Sequence, residues 1–378
     1  MRRDALDPRI GQRVLGRYVV TARLGEGAMG SVYRAEQRAR HLRRQVAIKI
    51  LHPEMSHERA LRARFLRECE LVAGLSHANI VQVFDMGELE DGCLALVMEL
   101  IEGETLRARL ERGPLSVSDA MTVGRGLLSA LAAAHDRGVV HRDVKPDNIM
   151  LFAHADGGLG VKLLDFGVAQ SPDAADALTG HGQLVGTPPY MSPEQLMGRR
   201  LDARSDLYAV GITLHEMLSG RHPLGESSSV LGWVTLQLDR EPAPLDVPGV
   251  PLRVSAVVRR ALAKAKENRP QDATEMADAL REGALRDEAQ RPAPVLEHRP
   301  DRSHDAPTFA LHAHPHPIVD LDPPRVPRVR GGWTSLLLAA AVLIAFATAF
   351  AGLVEHAPVA QNDTPSALAP TPEPVEAL

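Results

Sequence analysis

The sequence predicts an α+β protein of two lobes, a small β-rich lobe with one key helix and a larger helical lobe, followed by a disordered linker and one transmembrane helix. Three observations carry this. Short apolar runs punctuated by Gly and charged residues fill residues 18–100, whereas Leu127, Leu128, Leu131 and Ala134 recur at helical spacing within 118–137. From about residue 284 the periodicity is lost, and residues 291–330 hold nine prolines and five histidines, a composition that favours an extended tether. Residues 331–354 then run for 24 positions without a charge, where about 20 apolar residues suffice to cross a ~30 Å hydrocarbon core.

Composition bounds the function. The 378 residues carry 43 Lys and Arg against 48 Asp and Glu, a formal charge of −5, which argues against a nucleic-acid partner. Apolar residues at 44% and charged residues at 24% are ordinary for a globular chain. Two cysteines, Cys69 and Cys93, are too few for a disulfide framework or a four-cysteine zinc site and read more simply as small buried hydrophobes. Residues 1–17 are polar and Arg-rich and do not resemble a signal peptide.

The flanks of the uncharged run set its orientation. Arg325, Arg328 and Arg330 precede it, whereas residues 355–378 hold Glu355, Asp363, Glu373, Glu376 and five prolines but no Lys or Arg. Positive charge stays inside, so residues 1–330 are expected in the cytoplasm, 333–354 across the membrane and 355–378 as a short extracytoplasmic tail. Within the Pro/His-rich juxtamembrane linker, 283–330, the His312-Ala313-His314-Pro315-His316 run is a metal ligand set or, more simply, a solvated tether.

The small lobe opens with Val19, Val20 and Leu24 leading into Gly25-Glu26-Gly27-Ala28-Met29-Gly30-Ser31-Val32. Glycines at this spacing let a backbone fold closely over phosphates. The same spacing serves a dinucleotide fold, which needs a helix directly after the turn; the β-rich Ser31-Val32-Tyr33 favours a hairpin. Next comes Val46-Ala47-Ile48-Lys49-Ile50-Leu51. A buried ammonium is costly, so Lys49 either snorkels from an edge or meets anionic partners. Residues 57–75 read as a helix with Ser56 as N-cap and a stripe of Leu61, Phe65, Val72 and Leu75. Glu68 falls in that stripe, and a core-facing carboxylate calls for a cation, so Lys49 and Glu68 explain each other. Residues 80–84 and 94–98 are further strands. Between the second and third strands, Arg38, Arg40, Arg43 and Arg44 lie in a long insert, read as a solvated loop or a docking site for a partner or lipid headgroups.

The helical half carries the polar motifs. Gly138 stops the helix of residues 118–137, and His141-Arg142-Asp143-Val144-Lys145-Pro146-Asp147-Asn148 follows. Seventeen residues after Asn148 stands Asp165-Phe166-Gly167. Asp and Asn oxygens are hard ligands suited to Mg²⁺ bound to phosphate.

In this order the motifs resemble those of a bacterial eukaryotic-type serine/threonine protein kinase with a single C-terminal transmembrane helix, the kinase part spanning residues 18–282 (N-lobe about 18–100, C-lobe about 101–282). The resemblance implies a bilobal protein kinase fold, with ATP as cofactor together with Mg²⁺, or Mn²⁺ in its place. It implies that Gly25, Gly27 and Gly30 cover ATP, and that Leu24, Val32, Ala47, Met98 and Met150 sandwich the adenine. The Glu99 carbonyl and the Ile101 amide would bond its edge. Lys49, paired with Glu68, would hold the α- and β-phosphates. Asp143 would take the hydroxyl proton, Lys145 touch the transferring phosphate, and Asn148 and Asp165 hold two metal ions. His141 and Phe166 would stack with Val72, Glu194 would pair with Arg269, and Asp206 would bond the backbone of the catalytic loop.

Gly186-Thr187-Pro188-Pro189-Tyr190-Met191-Ser192-Pro193-Glu194 resembles the segment that docks protein substrates, with Ser-Pro-Glu where the family pattern is Ala-Pro-Glu. Lys145 with Thr187 resembles the Ser/Thr-specific enzymes. Arg142 beside Asp143 implies control by phosphate on the activation loop, 165–194, for which Thr179 is the candidate acceptor. The expected protein transfers the ATP γ-phosphate to Ser/Thr hydroxyls of protein substrates and autophosphorylates in its activation loop, self-association allowing this in trans. It is a membrane-anchored signalling protein of a bacterial inner membrane. A pseudokinase would lack one of Lys49, Asp143, Asn148 or Asp165; a small-molecule phosphotransferase would lack the docking segment; a passive membrane adaptor would need none of the set.

Overall fold

The computed structural model describes residues 7–27, 29–39, 42–57, 59–166 and 187–290. The Glu68 side chain, Gly167, Thr179, Gly186, the chain from 291 to 330, the expected span at 333–354 and the tail at 355–378 lie outside the described residues.

Six strands, β1 (Arg13–Val14), β2 (Tyr18–Gly27), β3 (Gly30–Ala39), β4 (Leu42–Leu51), β5 (Val83–Glu88) and β6 (Leu94–Glu99), form one antiparallel sheet in the order β1-β2-β3-β4-β6-β5. Strand β4 lies in its interior, which is why its sequence is apolar on both faces. Val46, Ile48 and Ile50 are buried with Tyr33, Ala35 and Val97 in one cluster. Ala47 and Leu51 belong to a second cluster with Phe65, Cys69 and Val72 of the helix Arg59–Ala73. Lys49 shares the strand face of that second set, so the strand period aims its ammonium toward the helix and the larger lobe.

The structure revises three details of the sequence reading. The described part of the Arg-rich stretch is strand: β3 and β4 pair from Gly30↔Leu51 to Ala39↔Leu42, with Arg38 opposite Arg43. Directly opposed like charges are unfavourable, and Glu36 relieves them, one carboxylate oxygen 2.9 Å from Arg38 Nε and the other 3.6 Å from Arg43 Nε. Ser56 is no N-cap; it sits in a short helix α1 (Pro53–His57), and its hydroxyl accepts from Leu94 N at 3.1 Å. The strand expected at 80–84 begins at Val83, while Ile80 bridges Leu163 in the other lobe.

Helix α2 (Arg59–Ala73) closes the small lobe. The larger lobe is built from α3 (Leu106–Leu110), α4 (Val117–His135), α5 (Pro193–Leu196), α6 (Ala203–Ser219), α7 (Val230–Asp239), α8 (Leu252–Ala261) and α9 (Ala273–Gln290). A small sheet, β7 (Glu104–Thr105), β8 (Ile149–Ala153) and β9 (Leu159–Leu163), faces the first lobe. Ser116 caps α4, its hydroxyl accepting from Asp119 N at 3.1 Å, and Gly138 at φ +72° lies just beyond the helix. Helix α6 is buried from Ser205 to Leu218, its mostly apolar run carrying Asp206, Thr213, His215 and Glu216 inside with it. It approaches α4 so closely that a Cβ on Gly124 would lie 2.9 Å from Leu214 Cδ2. Helix α9 continues to Gln290, past residue 282 where the sequence reading placed the start of the linker.

Candidate active site

A cleft of about 590 Å³ is lined by Leu24, Gly25, Val32, Ala47, Met98, Glu99, Ile101 and Met150, all eight expected from the sequence, together with Leu164 and Asp165. Arg34, Glu102 and Thr105 also line it and were not expected. Arg34 was findable, because it stands two residues from Val32 on the same strand face. The Glu99 carboxylate accepts from Lys162 Nζ at 2.8 Å.

The glycines divide their labour. A Cβ on Gly25 would meet no protein atom within 4 Å, whereas one on Gly30 would lie 2.1 Å from the Ile50 carbonyl oxygen. Gly30 is therefore required by the approach of β3 to β4, and Gly25 lines the cleft. Met29 O accepts from His52 N at 3.0 Å, fixing the hairpin end to the chain leaving β4.

Lys49 Nζ donates to Asp165 Oδ2 at 2.8 Å, joining the two lobes across the cleft. Burial alone would raise the Asp165 carboxyl; the Lys49 ammonium, by charge and by hydrogen bond, holds it below the usual carboxylate range. Asp165 adopts φ +39°, a conformation that costs a non-glycine residue energy and points to a functional constraint. Glu68 sits on α2, and its side chain lies outside the described residues.

The catalytic loop hangs from helix α6. Asp206, in the first turn of α6, accepts from His141 N and Arg142 N, each at 2.8 Å, and from His135 Nε2 at 2.8 Å. Burial would raise the Asp206 carboxyl, but His135 and these donors hold it down. Arg142, at φ +67°, makes the turn that presents Asp143. The buried His141 ring is kept neutral by burial. Its Nδ1 accepts from Asp143 N at 3.2 Å, so its Nε2–H donates to Leu164 O at 2.7 Å, and the ring lies 4.6 Å from that of Phe166.

Two side chains converge on Asp143. Lys145 Nζ reaches its carboxylate at 2.8 Å and donates to Thr187 Oγ1 at 2.6 Å. Asn148 Nδ2 donates to Asp143 Oδ2 and to its carbonyl oxygen, both at 2.8 Å. Behind Thr187, the Ser192–Gln195 capping box lets Gln195 Nε2 donate to Arg142 O at 2.8 Å. Glu194 takes a two-pronged bond from the fully buried Arg269, at 2.7 and 2.8 Å, and another from Ser205. The remaining Arg269 N–H groups donate to the carbonyls of Ala263, Arg204 and Lys264. With all five donors paired, the buried charge is compensated.

A two-lobed fold with a nucleotide-sized apolar cleft, a cross-lobe lysine–aspartate pair and an Asp–Lys–Asn loop beneath it is the architecture of a phosphotransferase of the protein kinase class. The sequence pattern of the family described as protein kinase domain matches residues 18–277, and the chain belongs to that family. It is 41% identical over 286 residues to serine/threonine-protein kinase pkn3 of Myxococcus xanthus, covering 74% of this chain and 52% of that protein. It is 38% identical to serine/threonine-protein kinase PrkC of Bacillus subtilis, covering 71% and 40%. Among solved structures, the Mycobacterium tuberculosis PknI kinase domain is similar at 30% identity and a TM-score of 0.57, covering 72% of this chain and 98% of that one. The chain spans about half the length, or less, of these curated relatives.

Proposed function

We propose that this chain is a serine/threonine protein kinase, bound to ATP and Mg²⁺ or Mn²⁺ when active. The observation that carries the reading is the joining of Lys49 to Asp165 at 2.8 Å above an Asp143 carboxylate already oriented by Lys145 and Asn148. The residues fit the nucleotide and metal. Among the described residues no group of three or more His, Cys, Asp or Glu could hold a metal ion; Mg²⁺ on a triphosphate needs only one or two protein oxygens besides the phosphates. Asn148, its amide nitrogen spent on Asp143, has its oxygen left to ligate, and Asp165 has its second oxygen. A metal held there neutralises charge on the phosphates.

The chain's own groups do the rest. Asp143 receives the proton of a Ser or Thr hydroxyl, general-base help worth typically 10²- to 10⁴-fold. Lys145, between that carboxylate and Thr187, keeps positive charge beside the phosphoacceptor. Lys49 orients the phosphates under the Gly25–Gly30 hairpin. Supporting the Ser/Thr class, relatives near 40% identity are named serine/threonine-protein kinases. Phosphate on Thr179, paired with Arg142, would switch the loop on, and a second copy of the chain could supply it.

Incubation of the purified full chain with γ-labelled ATP, Mg²⁺ and a generic basic protein tests the reading. Label on Ser and Thr is expected from the wild type, with a loss of at least about 100-fold in Asp143→Asn. Equal labelling by both proteins would refute the assignment of the base.

The uncharged run, flanked by arginines on one side only, supports a cytoplasmic kinase domain on a single membrane span. Among the described residues no helix is long and apolar enough to cross a membrane, so the proposal stands on residues 331–354 alone. The full chain is expected in the membrane pellet after alkaline carbonate extraction, and a chain lacking 331–354 in the supernatant; a wild type released by carbonate would overturn it.

A further inference from the structure

The end of the β3–β4 hairpin carries charge that the steps above do not use. Arg38 and Arg43 stand directly opposite one another, next to the last pair, Ala39↔Leu42. Their side chains are 59% and 81% exposed. Glu36 serves both, 2.9 Å from Arg38 Nε and 3.6 Å from Arg43 Nε. Arg44, the next residue along β4, alternates to the other face. It is exposed, and its guanidinium carbon lies 3.4 Å from the centre of the Phe84 ring. Asp85, beside Phe84, already accepts from Arg17 Nε at 3.1 Å. Among the described residues, three guanidinium groups at this end thus share one carboxylate.

Neither nucleotide binding nor stability accounts for them. None of the three lines the nucleotide cleft, and Arg43 precedes Lys49 by six residues of β4, about 20 Å at strand rise. Like charges directly opposed across a strand pair are destabilising. An anion from outside relieves that repulsion, and guanidinium groups hold phosphate oxygens in pairs. The three side chains leave both faces of the hairpin end, so they suit an extended anionic surface rather than a small ligand, which needs a concave site.

We infer that Arg38, Arg43 and Arg44 dock the small lobe on an anionic phospholipid surface. The chain's formal charge of −5 is repelled by such a surface, so a local basic end has to carry the contact. The inference rests on the reading of 331–354 as a membrane span. The 40 residues 291–330 then tether the kinase domain within reach of the bilayer, about 35 Å as a coil and about 120 Å fully extended. At that range a weak contact acts as an intramolecular one. Each arginine near an anionic leaflet strengthens association about fivefold, so three supply about a hundredfold.

For the test, the full chain is placed in lipid nanodiscs of phosphatidylcholine alone or with about 30% phosphatidylglycerol, and phenylglyoxal labelling of each arginine is read by mass spectrometry. In the anionic discs, labelling of Arg38, Arg43 and Arg44 is expected to slow about tenfold or more and to recover at about 0.5 M NaCl. Arg281, 59% exposed on α9, should keep one rate throughout. In the Arg43→Gln/Arg44→Gln variant, Arg38 should lose most of its protection. Should that variant not fold, the lipid and salt dependence of the wild type decides alone. Equal labelling in both discs would overturn the inference. So would protection already present in neutral discs, which would put a protein partner or a second copy on the arginines. Both results leave the kinase reading intact. A chain that does not stay with neutral discs would remove the membrane span instead. The docking is then read by sedimentation with phosphatidylglycerol vesicles, and a chain left in the supernatant would remove that as well.

Discussion

Gly30 and Gly25 share a motif and not a role. Gly30 is fixed by the Ile50 carbonyl 2.1 Å from where its Cβ would be, while Gly25 has open space. Gly30→Ala must push β3 off β4, a backbone clash that no rotamer relieves, and should cost about 1–3 kcal/mol. Gly25→Ala should leave thermal stability within about 0.5 kcal/mol and raise KM for ATP instead. Thermal denaturation and nucleotide kinetics separate the two, and equal destabilisation would contradict the geometry. Spacing alone shows that three glycines recur; it does not show which one a neighbouring strand requires. Lys49 is the opposite case. One ammonium in an apolar strand carries so large a desolvation cost that the strand by itself calls for an anionic partner. The partner described is Asp165, 116 residues away in sequence. Lys49→Ala should abolish transfer, by at least about 100-fold, and let the Asp165 carboxyl rise under burial alone.

At the scale of elements, helix α6 does two jobs. Its apolar run makes the centre of the large lobe, and its first turn suspends the catalytic loop through Asp206. Asp206→Ala leaves the buried His141 N–H, the half-buried Arg142 N–H and His135 without their acceptor, and should destabilise the protein by about 3–5 kcal/mol. In Asp206→Asn one oxygen survives to accept, so stability should fall less than in D206A while activity falls with the loosened loop. Urea titration and phosphotransfer read these out; an Asn variant with wild-type activity would show that the suspension is dispensable. The sequence was legible where the signal is local, as in α4, which the helical spacing of Leu127, Leu128, Leu131 and Ala134 and the glycine stop at Gly138 mark. It was illegible where the decision is non-local. Arg38, Arg43 and Arg44 look like a loop until β3 and β4 pair across them and Glu36 offsets the repulsion between Arg38 and Arg43. Ser56 looks like a cap until β6 supplies Leu94 N as a donor to its hydroxyl.

For the whole molecule, buried titratable groups set a stability that falls in two stages as pH drops. Burial pushes His222 down to about 4, against the favourable Pro189 carbonyl 2.9 Å from its Nε2. His141 and His215 are lowered in the same way. An unfolded histidine takes its proton near pH 6.5, so between about pH 6.5 and 4 the unfolded chain binds more protons than the native one. The stability these histidines contribute must then fall as pH drops across that window. Asp165, Asp206 and Glu194 are all held below their ordinary values by cationic partners. Their contribution is present above about pH 4 and is lost only as pH falls through the native values. Melting temperatures of the wild type should therefore decline first from about pH 6.5 and again, more steeply, below about pH 4. His222→Asn removes one titrating group and should reduce the slope of the first decline while leaving the second in place. A variant with a wild-type slope between pH 6.5 and 4 would mean that His222 is protonated in the native protein, and that the turn carrying Thr187 and Tyr190 tolerates a charge beneath it.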